Sequence, residues 1–281
     1  MVLSRTGNDI RHGRAMELMQ LIKHPRGRLD PKRSSRGITK RATQPHAPQP
    51  VPLMTSILTL HHLEYSQSFR VLWMLEELKL PYELEVHARD SKTMAAPDDY
   101  KLLSPLGTAP VITHGDLVLA ESSAIMDYIL DSAPENSLRP KETSADRARY
   151  LFWWHASQGS MMPLQLMTTV LTISQKRLPL LMRPFVKLYI KGLNDLFIEP
   201  RLNRLLELAE RDLAEAPWFG GQNLSAADFL IAFNLIVGAE RDMITAAKHP
   251  RCMEWIAKMK ALPSFASATE KDGRDSMALS Y

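Results

Sequence analysis

The chain has 281 residues, 45% of them apolar, enough for two modest domains that each bury a core. No uninterrupted apolar run approaches the roughly 20 residues that span a bilayer, and the longest, Phe229 to Ala239, contains Asn234, so no transmembrane segment is expected. The net charge of +4 hides an asymmetry: residues 1–53 carry eleven Lys or Arg against three acids, while the other 24 bases and 28 acids leave the body at −4, which argues against nucleic-acid binding.

Residues 1–53 close on Pro45, Pro48, Pro50 and Pro52. Such a basic, Pro-rich segment buries too little apolar surface to offset its ordering entropy, so a disordered extension is expected. Two readings of it stay open. Met54 opens the folded pattern directly, so the extension could reflect start-codon choice; alternatively, an Arg-rich, acid-poor arm suits organelle targeting.

Residues 54–133 then read as one domain. Ile57, Leu58, Leu60 and Leu63 mark a buried strand. Phe69, Leu72, Trp73, Leu75 and Leu78 recur at helical spacing from Gln67 to Leu80, and Pro81 ends that helix. Tyr82–His87 alternates as a second strand, and 88–104 is loop with room for a short helix. Pro110–Thr113 and Leu117–Leu119 flank His114-Gly115-Asp116 as a hairpin, and a helix follows from Ser122 to about Asp131. The order βαβαββα needs a parallel crossover followed by an antiparallel hairpin, which is the outline of a thioredoxin-like α/β domain.

After a polar linker, 134–143, residues 144–266 are helical by period throughout, an all-α bundle, with 267–281 as a tail. Pro163 and Pro200 should kink or split the helices Ser144–Ile173 and Pro184–Ala216. Helices are also expected over Ser225–Met243 and Pro250–Leu262. The single cysteine, Cys252, excludes an internal disulfide and a dithiol mechanism and suits a reducing compartment; it reads as structural. His61 and His62 point to opposite faces of their strand and have no acid or cysteine at local ligand spacing, so no metal is expected.

Four stretches together resemble the glutathione S-transferase superfamily, in its serine-type members and particularly a subgroup common in fungi. They are His61–Arg70 running into Val71–Leu78, Ser104–Val111, Leu119–Ile125 and Leu224–Phe229. The resemblance implies glutathione as cosubstrate and a homodimer. It implies Ser66 as the catalytic hydroxyl, a cis Ala109–Pro110 bond whose Ala109 backbone pairs with the cysteinyl residue, and Glu121 with Ser122 as contacts for the γ-glutamyl end. The physical reasons are separable. A helix start such as Ser122 offers free amides to an anion, though Ser122 could equally be only a cap. A free thiol titrates at about 8.5, and a hydroxyl donating to sulfur at a helix N-terminus favours the thiolate. Tyr65 is the rival donor and Ser68 a third. Thr108 stands where many relatives carry a cation, which leaves Lys101 and Arg89 as candidates for the glycyl carboxylate.

Leu224-Ser225-Ala226-Ala227-Asp228-Phe229 is a capping box with a hydrophobic staple and carries no functional claim. The second substrate is expected against the first helix of the bundle, where Met161, Met162, Leu164 and Met167 offer an adaptable apolar wall. The expected activity is attack of the glutathione thiolate on an apolar electrophile, or reduction of an organic peroxide, in a detoxifying and cytoplasmic enzyme, or an organellar one if the extension targets it. A non-catalytic glutathione-binding protein and a dedicated biosynthetic enzyme are the alternatives.

Overall fold

The structure is a computed structural model that describes residues 56–133, 138–274 and 277. The extension 1–53, linker residues 134–137 and most of 275–281 lie outside the described residues.

The first domain runs β1 (Leu58–Leu63), α1 (Ser68–Leu78), β2 (Tyr82–His87), α2 (Asp98–Leu102), β3 (Val111–His114), β4 (Leu117–Ala120) and α3 (Ser122–Ser132). Its four strands lie in the order β2-β1-β3-β4, with β1 parallel to β2 and the β3 pairings antiparallel. This is the thioredoxin-like arrangement. Lys79, in the left-handed region at φ 52°, closes α1, and Leu80 N–H returns to the Leu75 carbonyl.

The helical domain comprises α4 (Arg147–Ala156), α5 (Met162–Lys176), α6 (Arg183–Leu193), α7 (Glu199–Glu215), α8 (Ala226–Glu240), α9 (Pro250–Lys260) and α10 (Pro263–Asp272). Two π-turns, Ser157–Met161 and Asn194–Ile198, precede α5 and α7. They explain how Pro163 and Pro200 are absorbed. Proline has no N–H for the carbonyl four residues back, and its ring collides with that carbonyl. Widening the preceding turn relieves both problems without breaking the rod. The tail expectation needs a correction, since residues 267–272 belong to α10. Its Ser- and Ala-rich sequence has weak periodicity, yet Ala268 is buried and Phe265 packs against the core.

The box at the start of α8 is present and does more than cap. The buried Asp228 carboxylate accepts from Ser225 N–H and Oγ–H, from Phe219 N–H and from Trp255 Nε1–H, at 2.8 to 3.2 Å. Burial raises its pKa, against the pull of those donors. It therefore ties α8 to α9 and to the loop before it.

Helix α1 is the hinge-pin between domains. It is buried along most of its length, with Trp73 edge-on to Phe229 at 5.4 Å and Trp73 Nε1–H donating to Ser264 Oγ at 3.1 Å. Arg70 goes deepest. Its guanidinium, 1% exposed, donates to the Leu230 carbonyl at 2.6 Å and to Asn234 Oδ1 at 2.8 Å, and lies over the Phe233 ring at 4.9 Å. Burial pulls its pKa down to about 9, so it stays charged at neutral pH. Arg70→Ala should therefore open a cavity and orphan two buried acceptors, lowering the unfolding free energy by about 3–5 kcal/mol. Urea denaturation read by tryptophan fluorescence checks this.

Candidate active site

The turn between β1 and α1 carries the expected hydroxyls, Tyr65 and Ser66. Tyr65 takes a positive φ of 50° there, an uncommon setting for a bulky residue, and the chain then swings Ser66 to the mouth of α1. The Ser66 hydroxyl accepts Ser68 N–H at 3.1 Å and stands 2.7 Å from Ser68 Oγ. Ser68 is fully buried. Its oxygen accepts Leu63 N–H at 3.2 Å, lies 3.2 Å from the Leu63 carbonyl, and lies 2.8 Å from His62 Nδ1. On the far side of the same ring, His62 Nε2 meets Asp272 Oδ1 at 2.5 Å. The expectation that Ser68 touches a ligand is thus overturned, because it is sealed beneath Ser66.

A cleft of about 380 Å³ opens beside Ser66. Tyr65, Ser66 and Gln67 line one side, with Thr108 and Ala109 next to them. The Ala109–Pro110 bond is cis, and Pro110 is buried behind Ala109. Gly107, at φ 60°, lets that loop pass close to Lys101, whose carbonyl oxygen would lie 3.3 Å from an added Cβ.

Ser122 does not line the cleft but is joined to it. It is the first residue of α3 rather than its cap, and its hydroxyl donates to Gln67 Oε1 at 3.4 Å. Gln158 Nε2–H, from the first π-turn, donates to the same oxygen at 3.0 Å. Gln67 is a residue that sequence reasoning missed, although its place between Ser66 and Ser68 was a signal. Glu121, exposed at φ 77°, precedes the helix. A non-glycine residue held at such a φ costs roughly 1–3 kcal/mol and is found most often at functional sites. Lys101 is not brought in; its ammonium lies 2.8 Å from Asp98 Oδ1. Arg89 reaches the lining, and its side chain donates to the carbonyls of Glu64 and Met94.

The opposite wall mixes apolar and polar residues, and not all of those expected. Met162 lines the cleft; Met161 and Leu164 are buried in the core and Met167 is exposed elsewhere. The π-turn before α5 sets the rotation of the helix, and Met162, Gln165, Leu166 and Thr169 form the facing stripe at three- and four-residue steps. Phe233 and Val237 of α8 extend it, Arg241 just past the helix end continues the four-residue steps, and Met277 adds to it. Which stripe of a helix faces the other domain cannot be read from period alone.

The outer face of the sheet holds a separate group. Contrary to the local reading, His61 has an acid beside it: the parallel register sets Glu85 opposite, with His61 Nδ1 to Glu85 Oε2 at 2.9 Å and His87 Nε2 at 3.7 Å from the same oxygen. Burial lowers the His61 pKa against the pull of Glu85. None of the three lines the cleft. Cys252 is buried on α9, and burial raises its thiol far above the ordinary range, with Glu210 adding to the effect. It should stay unmodified by a maleimide in the folded protein and react fully only after denaturation, as read by mass spectrometry.

The comparisons with known proteins agree with this geometry. The N-terminal domain model of glutathione S-transferases matches residues 66–132, and the C-terminal domain model matches residues 181–272. Glutathione S-transferase 3 of Schizosaccharomyces pombe is 31% identical over 216 residues, 76% of this chain and 88% of that protein. A glutathione S-transferase of Actinobacillus pleuropneumoniae superposes with a TM-score of 0.63 at 30% identity, over 77% of this chain and 93% of its own. A glutathione transferase homologue from Drosophila mojavensis, solved with bound glutathione, superposes at 0.58 over 77% of this chain and 94% of its own; at 20% identity it speaks for the fold. The chain belongs to the glutathione S-transferase family and is a glutathione transferase.

Proposed function

We propose that the enzyme joins the glutathione sulfur to an apolar electrophile, with Ser66 as the hydroxyl that stabilises the thiolate. One observation carries this reading: Ser66 and Ala109 line the same cleft as Met162, Leu166, Phe233 and Val237, with the polar Gln165, Thr169 and Arg241 among those apolar residues. A tripeptide laid along Ala109 would bring its cysteinyl sulfur toward Ser66. Its γ-glutamyl end would run toward the start of α3 at Ser122, where the free amides of a helix start favour an anion. The electrophile would then sit against the adaptable apolar wall.

The work asked of Ser66 is electrostatic. Hydrogen bonding to a thiolate lowers the thiol pKa, and one donor removed from such a site typically costs on the order of 100-fold in rate. Titrating the thiolate absorbance of bound glutathione should give a pKa below that of the free peptide. Ser66→Ala should raise it by about one unit and lower kcat/KM for a chromogenic aryl halide about 100-fold. Tyr65→Phe should leave the titration in place. The reverse pattern would transfer the role to Tyr65.

A further inference from the structure

We propose that Asp272, His62 and Ser68 form a relay that decides which way the Ser66 hydroxyl proton points, and so whether Ser66 can donate to the ligand sulfur. This rests on the reading of Ser66 as thiolate donor. The four groups are continuous: Asp272 Oδ1 to His62 Nε2 is 2.5 Å, His62 Nδ1 to Ser68 Oγ is 2.8 Å, and Ser68 Oγ to Ser66 Oγ is 2.7 Å. His62 and Ser68 are both fully buried, so water does not intervene on either residue.

Counting protons along the chain gives two states. In the first, the His62–Asp272 pair holds an extra proton, as imidazolium against carboxylate. His62 Nδ1–H then donates to Ser68 Oγ, which also accepts Leu63 N–H. Both lone pairs of Ser68 are filled, and its own proton has two acceptors, the Leu63 carbonyl at 3.2 Å and Ser66 Oγ at 2.7 Å; the shorter contact draws it outward to Ser66. Ser66 already accepts Ser68 N–H at 3.1 Å. With both its lone pairs filled, the Ser66 proton is left for the sulfur.

In the second state the pair has lost that proton. His62 keeps Nε2–H on Asp272 and offers the Nδ1 lone pair, which takes the Ser68 proton. Ser68 Oγ then has a lone pair free, 2.7 Å from Ser66, and draws the Ser66 proton inward. In both states the thiol's own proton leaves to solvent; the relay only orients hydroxyls.

The balance between the two states is set from the C-terminal segment, where a cation beside the pair opposes the extra proton. Asp272 is the last residue of α10, and Arg274 reaches back to it at 3.3 Å. Arg274 also pairs with Glu64 of the active-site turn and lies over the Tyr65 ring at 5.0 Å. From α1 the contact is Ser68, which is neutral. Lys271, one position earlier, engages Glu76.

The test is a mutant cycle on the full chain, with glutathione as ligand and the bound-thiol pKa as readout. Asp272→Asn should raise that pKa by about one unit, a tenfold change in the ionisation constant, and Asp272→Glu should restore it. The sign is diagnostic, because loss of a nearby negative charge acting only through its field would lower the thiol pKa. In a Ser66→Ala or Ser68→Ala background, Asp272→Asn should do nothing, since the chain is already cut. If Ser66→Ala shifts the thiol but Asp272→Asn does not, or shifts it equally in every background, the relay is overturned and the role of Ser66 stands. If Ser66→Ala itself leaves the thiol unmoved, the reading of Ser66 falls and the relay with it.

Discussion

The charge of Arg70 is enclosed where the two domains meet, and its recorded partners are neutral: a carbonyl, an amide oxygen, a hydroxyl and an aromatic face. A buried cation without an adjacent acid is costly unless its hydrogen bonds are well made. Those bonds come from α8 and the first π-turn, so α1 can bury Arg70 only with the helical domain docked. The geometry of the cleft follows from this. Ser66 lies four residues ahead of Arg70, and the apolar wall lies on the same α8 that receives the guanidinium. Fixing one contact fixes the distance between Ser66 and the α8 side of the cleft.

The C-terminal helix supports the same corner from the other side. α10 packs along α1 through Trp73, Phe265 and Ser264, and ends at Asp272 on the His62 ring. β1 has a different polar residue on each face: His61 meets Glu85 and Thr113, while His62 meets Ser68 and Asp272. Alternation along the strand thus separates the His61–Glu85 contact on one face from the hydrogen bonds beneath the Ser66 turn on the other.

The local features were legible in the sequence, and the long-range ones were not. The order of strands and helices, the turn bearing Ser66, the loop before Pro110 and the box at Ser225 each need only a few neighbouring residues to be recognised. Glu85 beside His61 depended on strand register, and Asp272 beside His62 spans 210 positions of chain. Met161, Leu164 and Met167 were misplaced because a helix period gives the stripes but not the angle at which the rod is set. Lys101 was a candidate only because Thr108 left a cation missing, and its ammonium lies against Asp98 instead. Ser122 starts α3 but does not line the cleft, and its hydroxyl donates to Gln67, a long-range contact with no local signal.

The π-turn at Ser157–Met161 has a consequence for how the helix could change in length. A π-turn amounts to one residue more than an α-helix needs over the same rise. Deleting a single residue inside it would return the rod to regular winding and leave α5 on the same face, whereas a deletion in regular α-helix turns everything beyond it by about 100°. The wide turn therefore lets this rod lose one residue while Met162 and Leu166 keep facing the cleft.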